Sequence, residues 1–453
     1  MTSRSWFLRA AVLACVASTT ARAQSPQLAP QPLVERYVDP SRGVSLAEAI
    51  QQALDDEPSL RAARSDVDAA RGMRVQAGLR ANPTTSFERR EEPAGTDNQT
   101  MVSVEWPLEL FRRGPRVSAA KREVEATQHA AAERARMVAA DVRMRYGSAA
   151  AAVREVAIAD NLAASASQQL DLLRQRVEQG AAPPLDRDLF DVEARRLQSD
   201  RLLAVARADR AMYELRRAMG QPADTPLMLR DTLETLVTTE PPTGNAVVAP
   251  VAPLASLNID ASVISERPDV REAEARLLVA KAHIERAQSE GRFDLSVFGS
   301  YMRMDAGFPQ RGFDASGNVA RVRSVFNYVA AGAMVTLPLR NRNQGEVAAA
   351  RAAEAGATAT LQGARLAAQA EIAAAATRTA QTREALTLLE GSIRLARQNL
   401  DVVRQTYELG RMTVAEVLME QRRYLDVERS YTDALREAYE AQAALQNARG
   451  ERP

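Results

Sequence analysis

Hydrophobic and polar positions along the chain follow a period of two and then a helical period, and this succession occurs twice. In the first half Val102, Val104, Trp106 and Leu108 alternate with polar residues, as in a strand with one apolar face. The alternation ends at a proline, a polar turn follows, and an alanine-rich helical pattern begins. The same succession returns over residues 335–354. The pattern predicts a strand that feeds a long helix, made twice.

The first predicted long helix covers residues 116–179, with no proline and with Gly147 as its only weak point. An unbroken helix of this length is a rod of roughly 95 Å. Apolar residues recur every seven positions, as a coiled-coil seam requires: Val117, Val124, Ala131 and Val138. No globular domain needs so long a helix, so the pattern favours a spacer or the wall of a tube.

The second half has the same dimensions. A second long helix is predicted over 346–409, and return helices are predicted over 186–219 and 414–449. Each return helix lies between two glycines that are 40 residues apart in both halves, Gly180 with Gly220 and Gly410 with Gly450. Matching lengths with little residue identity indicate duplication of one structural unit.

Shorter elements complete the prediction. Ser45 and Glu48 have capping-box spacing at the start of a helix. Four strands are predicted, at about 84–91, 99–108, 293–304 and 326–337. The last two are joined by a predicted loop, 305–324, that is rich in glycine and charge.

The predicted organisation has five parts. They are a signal peptide (1–23), an extended N-terminal segment (24–44), a first structural repeat (45–220), a linker (221–262) and a second structural repeat (263–453). The first part combines Arg4 and Arg9 with a short apolar core and a small-x-small cleavage site at Ala23, as in secretory signals. Cys15, the single cysteine, lies inside this part, where it is either removed or lipidated.

Composition excludes several classes of protein. The 453 residues include 59 basic and 58 acidic side chains, so there is no basic excess for nucleic acid. Aromatic residues are only 4% of the chain, too few for several thick cores. The two histidines, His129 and His283, stand alone on helical stretches. We therefore predict no metal site, no cofactor and no catalytic residues, and a secreted enzyme is the least favoured class.

Membrane insertion, if it occurs, has to use strands. Beyond the signal peptide no run of 18 apolar residues is found, so a membrane-spanning helix is not expected. Four strands are too few for a closed barrel, which needs at least eight, and open sheet edges are not tolerated in lipid. The barrel must be shared between chains, with eight strands from two copies or twelve from three.

The chain resembles the TolC-like family of outer-membrane efflux channels across nearly its whole mature length. The resemblance is carried by Leu46–Ile50 with Pro58, Trp106–Leu110, Leu337–Leu339, Glu266–Asp269 and the two glycine tips. Within the family, Pro107–Leu110 followed by Arg112, Arg113 and Arg116, together with Gln76–Pro83, is most similar to the CzcC-like branch that exports cobalt, zinc and cadmium. Multidrug export is the alternative cargo class.

The resemblance implies a mainly α fold with a small membrane β-sheet. Each chain would contribute two strand hairpins and two long helical hairpins to a homotrimer, with a twelve-stranded barrel in the outer membrane continued by a periplasmic α-barrel. The implied partners are outer-membrane lipid, a periplasmic adaptor and, through the adaptor, an inner-membrane RND-type pump. The implied role is passive, with no enzymatic activity. A periplasmic coiled-coil scaffold or adaptor is the main alternative.

Site residues also follow from the resemblance. The family docks adaptors at the helix-hairpin tips, which here are Gly180, Ala181 and Ala182 in the first hairpin and Gly410, Arg411 and Met412 in the second. Acidic residues six positions after these glycines would ring the closed pore, which implies Asp186 and Glu416. Both also stand where an acid stabilises a helix N-terminus. Tyr407 matches a tyrosine that tethers neighbouring helices.

Overall fold

A computed structural model describes residues 33–93, 97–238 and 261–450. The predicted signal peptide, Cys15 and parts of the N-terminal segment and linker lie outside the described residues. The helices are α1 (Leu46–Asp56), α2 (Pro58–Gly78), α3 (Arg113–Glu178), α4 (Pro184–Ala218), α5 (Leu233–Thr238), α6 (Ala261–Glu266), α7 (Pro268–Glu290), α8 (Gln344–Glu408) and α9 (Val414–Ala448). The strands are β1 (Thr84–Glu91), β2 (Asn98–Pro107), β3 (Asp294–Phe313) and β4 (Val319–Thr336). None of the helices in these ranges is long and apolar enough to cross a membrane.

The fold is mainly α with one small sheet, as predicted. The four strands form a single antiparallel sheet in the order β1-β2-β3-β4. Pro107 at the end of β2 pairs with Ser296, and Thr336 at the end of β4 pairs with Asp294. Since α3 follows β2 and α8 follows β4, both long helices begin at the same edge of the sheet. The strand pairs therefore lie side by side at one end of the rods.

The hairpin of β3 and β4 is longer than predicted. The ladder continues beyond Asp305 to the Phe313–Val319 pair, with an irregularity between Gly307 and Arg311. The predicted loop 305–324 was therefore wrong, since only five residues, 314–318, connect the strands. Backbone pairing does not depend on side-chain polarity, so glycine and charge in this stretch did not prevent a ladder. The Asp314 carboxylate accepts N–H groups of the turn, and Gly317 supplies the positive φ of 81°.

The long helices form two hairpins. α3 packs along α4, which we call the first hairpin, and α8 along α9, the second hairpin. α3 continues without a break through Gly147, which is not a weak point but a contact. A Cβ added at Gly147 would lie 2.1 Å from Cε1 of Tyr439. Only glycine lets the two repeats approach so closely here.

The main core lies partway along the rods, where α1, α3, α4, α5 and α9 meet. Arg154 of α3 connects the repeats: its guanidinium donates to Glu234 of α5 at 2.6 Å and to Glu428 of α9 at 2.7 Å. It also donates to the Thr432 hydroxyl and lies over the ring of Tyr431. The two hairpins are thus fixed to each other by charge as well as by apolar packing.

The segments around this core are more ordered than predicted. The N-terminal segment is not simply extended, because Leu33–Arg36 forms a 3-10 helix and the Tyr37 hydroxyl donates to Asp209 at 2.7 Å. The first part of the predicted linker also packs, with Leu229 buried and bridged to Val38 and Val44. Apolar residues without clear periodicity fill this core, which is why the sequence pattern missed them. The capping box of Ser45 and Glu48 is present.

The second repeat opens with a buried arginine. Arg267 is 1% exposed and donates to the Asp269 carboxylate at 2.6 Å and to the Glu371 carboxylate at 2.8 Å. It also donates to the Ala448 carbonyl at 2.8 Å, at the end of α9. The side chain therefore ties the start of α7 to both helices of the second hairpin.

Candidate functional site at the hairpin tips

Both hairpins turn with the same backbone geometry. Gly180 has a φ of 73° and Gly410 a φ of 71°, the left-handed region that favours glycine. In the first turn the N–H of Gly180 donates to Val177 and that of Ala181 to Arg176. Paired bonds of this kind close a helix C-terminus. The second turn has the same pair, from Gly410 and from the next residue. The glycines are exposed, and an added Cβ at either would meet nothing within 4 Å.

The two tips lie at the same height. Arg422 of α9 donates to Glu193 of α4, and Arg429 to Asp200. Each pair is 229 residues apart, one fewer than the separation of the two tip glycines. The hairpins are therefore in register to within one residue over their last turns.

An apolar cluster joins the tips. We call it the tip cluster, and it consists of Leu170, Leu173, Phe190, Val414 and Leu418. Ala182 and Tyr407 pack against it. The structure thus brings Ala182 of the first predicted docking loop against residues of the second hairpin. Ala181 and Arg411 stay exposed and Met412 is half-buried.

Glu416 is part of a capping box. Its Oε2 accepts the backbone N–H of Thr413 at 2.7 Å and the Thr413 hydroxyl at 2.8 Å. These bonds, the backbone one first, hold the pKa of Glu416 below its usual range. The side chain is exposed. Glu416 therefore stabilises the start of α9 and also presents a charge that persists into acidic solution.

Asp186 occupies the corresponding position of α4 but differs from Glu416. The cap residue there is Pro183, which has neither an N–H nor a hydroxyl to complete a capping box. Within the described residues, the Asp186 carboxylate has no hydrogen bond or ion pair. It lies close enough to Tyr407 to raise the pKa of that phenol, although burial is the larger cause and Arg176 opposes it.

Tyr407 is half-buried against the tip cluster. Its ring packs, while its hydroxyl finds no hydrogen-bond partner in the part of the chain that the structure describes. The hydroxyl is thus available to a group from outside this chain.

A cationic cleft above the tips was missed from the sequence. It has a volume of about 690 Å³ and lies between α3, α8 and α9, with Arg394, Arg397 and Arg404 on the α8 side. Arg404 is half-buried, its Nε has no partner, and burial lowers its pKa. In the sequence, the signal for this cleft was the spacing of the three arginines, three and ten positions apart on one helix. That spacing did not stand out because the chain contains so many charged residues.

The arginines that carry the branch resemblance have structural roles. Arg116 donates to the Glu109 carboxylate at 2.6 and 3.0 Å and to the carbonyls of Ala77 and Leu79. Arg113 donates to the Gly78 carbonyl. These bonds satisfy carbonyls at the C-terminus of α2. No group of three or more residues that could hold a metal ion occurs within 33–93, 97–238 and 261–450.

Comparison with known proteins finds a family that matches most of the chain. The family model described as outer membrane efflux protein matches residues 49–221 and 261–451. The toluene efflux pump outer membrane protein TtgF of Pseudomonas putida is 28% identical over 260 residues, 54% of this chain and 51% of that protein. Outer membrane protein OprJ of Pseudomonas aeruginosa is 27% identical over 285 residues, which are 56% of this chain and 54% of that protein. The chain spans about half the length of these curated relatives.

The fold has solved counterparts. A crystal structure of CusC, from a study of folding and transmembrane channel formation, superposes with a TM-score of 0.71 at 18% identity, over 89% of this chain and 92% of that one. At this identity the likeness concerns the fold.

Proposed function

Since the chain belongs to the outer membrane efflux protein family, we propose that it is the outer-membrane channel of a tripartite efflux system. In this proposal it is a passive exit duct that receives substrates from an inner-membrane pump through a periplasmic adaptor, and it catalyses no reaction. The observation that carries the proposal is the four-stranded sheet at one end of two rods that are in register at the other end.

The sheet supports assembly from several copies. Its outer strands β1 and β4 each have one unpaired edge, and an open edge in lipid leaves N–H and C=O groups without partners. Pairing β4 of one copy with β1 of the next would close the sheet. Three copies supply twelve strands, which is wide enough for an open lumen, whereas two copies supply the eight that side chains fill.

The first hairpin has an unpartnered apolar face that fits this assembly. On α4, four large apolar side chains are exposed: Leu185, Leu189, Val192 and Leu203. Their exposure of 42–68% is high for large apolar side chains. The first three are spaced four and three residues apart, as in a coiled-coil seam. We call this set the α4 outer seam.

The second hairpin has a matching face on α8. Leu388, Leu395, Val402 and Leu409 are spaced seven residues apart and are 60–73% exposed, and we call them the α8 outer seam. Counted from the tip, Leu409 and Val402 lie one and eight residues from Gly410, and Leu185 and Val192 lie five and twelve from Gly180. Because the tips are in register, the two seams cover the same range of heights above the tips. We propose that the α8 outer seam of one copy packs against the α4 outer seam of the next.

At the tips we propose adaptor docking by the six residues from Gly180 to Ala182 and from Gly410 to Met412. The positive-φ glycines of the two turns and the exposure of Ala181 and Arg411 support this role. Asp186 and Glu416 would each occur three times around the axis of the trimer, where a ring of carboxylates attracts cations and repels anions. Tyr407, whose hydroxyl is free, would tether the neighbouring helix in the closed state.

For the cargo we propose heavy-metal cations, on the CzcC-like motifs of the sequence. The arginines of those motifs bind α2, so they support a branch and not a cargo contact. The similarity to a protein named as a toluene efflux pump component favours organic solvents as the second candidate. Disc assays of a strain lacking the gene separate the two: the first predicts lost tolerance to cobalt, zinc and cadmium, and the second lost tolerance to toluene.

Fractionation and detergent extraction test the channel itself. The proposal predicts recovery in the outer membrane, extraction only with detergent, and a trimer by mass measurement of the extracted protein. Recovery as a monodisperse monomer in the soluble periplasm would instead favour the coiled-coil scaffold.

A further inference from the structure

The cationic cleft between α3, α8 and α9 has an excess of positive charge. Its lining contains four arginines and two carboxylates. Arg154 is already neutralised, because its guanidinium pairs with Glu428 at 2.7 Å and with Glu234 at 2.6 Å. The other carboxylate of the lining belongs to Asp401 of α8. The three remaining arginines, all on α8, therefore share a single acidic residue.

These three arginines have no partner in the part of the chain that the structure describes. No ion pair and no side-chain hydrogen bond to Arg394, Arg397 or Arg404 is found there. Arg394 and Arg397 are exposed, whereas the Nε of Arg404 is shielded from solvent without an acceptor. A buried donor without an acceptor costs free energy, and so does a desolvated charge without a counter-charge. An anion in the cleft would remove this cost.

The spacing of the arginines indicates the shape of the anion. Arg397 and Arg404 are seven residues apart, two helical turns or about 10.5 Å along α8. Leu400 lies between them on the same face of the helix and is 3% exposed. Ile158 and Leu162 of α3 add further apolar surface to the lining. The cleft therefore fits a ligand with two anionic ends and an apolar middle, and a small inorganic anion would meet only one end.

The α3 wall of the cleft supplies neutral donors. Asn161 and Ser165 are one turn apart and both line the cleft. Their side chains have no hydrogen-bond partner among the described residues. An amide NH₂ and a hydroxyl can each donate to a carboxylate oxygen, and α3 contributes no acidic residue to the lining. A bound anion would therefore contact both hairpins.

The cleft stays uncovered in the proposed assembly. Arg397 follows Leu395 by two residues, and Arg404 follows Val402 by two. Successive residues of an α-helix are about 100° apart around its axis, so both arginines lie about 200° from the α8 outer seam. Packing of neighbouring copies through that seam leaves the arginine side of α8 free.

We propose that the cationic cleft binds an elongated organic dianion of the α,ω-dicarboxylate class. Arg397 and Arg404 each bind one carboxylate through paired, charge-assisted hydrogen bonds, and the methylene chain covers Leu400. Since α9 packs against both α3 and α8, the ligand adds a direct connection between α3 and α8. The site lies within one copy, so this inference goes beyond the proposed channel and does not depend on it.

Binding can be measured by isothermal titration calorimetry on the detergent-solubilised full-length protein in buffered sodium chloride. The probe is suberate. It is compared with octanoate, which has the same chain and one carboxylate, with succinate, whose carboxylates are too close to reach both arginines, and with inorganic phosphate. The test variant is R397Q/R404Q. The matched control R365Q/R383Q removes two exposed arginines of α8 that lie outside the cleft.

We expect wild type and R365Q/R383Q to bind suberate with equal affinity. R397Q/R404Q should bind it at least about tenfold more weakly, because hydrogen bonds to a charged group are lost at both ends of the ligand. Octanoate, succinate and phosphate should each bind wild type at least about tenfold more weakly than suberate does. No binding of suberate by wild type, or unchanged binding by R397Q/R404Q, would overturn the proposal. Equal affinity for succinate or phosphate would do the same, since it would indicate a site for a small anion.

Thermal unfolding separates a ligand-binding role from a structural one. Without ligand, R404Q should unfold at or above the wild-type temperature, because the substitution removes an unpartnered charge from the cleft. Saturating suberate should raise the unfolding temperature of wild type but not that of R404Q. A lower unfolding temperature for ligand-free R404Q would mean that the guanidinium stabilises the fold, which contradicts the inference. Recovery of the protein as a soluble monomer would contradict the proposed channel and leave these binding results unchanged.

Discussion

A glycine-to-alanine substitution at Gly147 should destabilise the protein, although it lies inside a helix. In an exposed helix interior, alanine is more stable than glycine by about 1 kcal/mol. At Gly147 the new methyl carbon would lie 2.1 and 2.3 Å from two ring carbons of Tyr439. Carbon atoms in contact are normally about 3.5–4.0 Å apart, so the ring or the helix has to move by more than 1 Å.

The Tyr439 ring cannot move easily. It is 4% exposed, and its hydroxyl donates to the Arg143 carbonyl at 2.9 Å. Overpacking of a rigid core typically costs about 1–3 kcal/mol, and this clash is severe enough to place G147A at the upper end. After the gain in helix propensity, we expect a net loss of about 1–2 kcal/mol.

Thermal unfolding in detergent, followed by circular dichroism, measures this loss. G363A is the matched control, because Gly363 lies inside α8 with nothing within 4 Å of an added Cβ. G363A should unfold at or above the wild-type temperature and G147A well below it. The pair G147A/Y439L should recover much of the loss relative to Y439L alone. If G147A unfolds like G363A, the close approach of α3 and α9 is incorrect.

Three further perturbations test other parts of the molecule. Replacing Glu416 and Asp186 with alanine should lower the cation preference of single channels in planar bilayers, and unchanged selectivity would refute the ring of carboxylates. In wild type the preference should persist as the pH falls to the ordinary glutamate pKa of 4.5, because hydrogen bonds lower the pKa of Glu416. Replacing Gly410 with valine should abolish cross-linking to the adaptor while trimers still form. Replacing it with asparagine, which tolerates positive φ, should leave the cross-linking intact. Loss of trimers in the valine variant would mean that the glycine has only a structural role. Replacing the buried Arg267 with methionine leaves the half-buried Asp269 carboxylate and the Ala448 carbonyl without this donor and should cost about 1–3 kcal/mol in thermal unfolding. The same change at exposed Arg271 should cost under about 0.5 kcal/mol.

Periodic features were predictable because they repeat locally. The alternation around Trp106 and the seven-residue spacing from Val117 each involve neighbours in the sequence, so strands and rods follow from the pattern. The outer part of β3 was not predictable, because its residues pair through the backbone and face water with mixed polarity. A pattern of apolar positions has no signal there.

Contacts between the repeats could not be predicted either. Arg267 meets Ala448 across 181 residues, and Gly147 meets Tyr439 across nearly 300. A single sequence contains no record of which distant residues approach each other. At the tips, Asp186 and Glu416 looked equivalent by position, yet Thr413 completes a capping box for one and Pro183 does not for the other. The local chemistry of the cap decides this, and it becomes apparent only with the backbone in place.

Assembly through the two outer seams can be measured directly by disulfide cross-linking. In a C15S background, V192C on α4 combined with V402C on α8 should give covalent dimers and trimers on non-reducing gels, because the two positions lie at neighbouring heights above the tips. V192C combined with M419C, an exposed position on α9 outside both seams, should give none. Monomers alone from V192C/V402C, at a yield equal to that of the control pair, would contradict the account that neighbouring copies complete the tube.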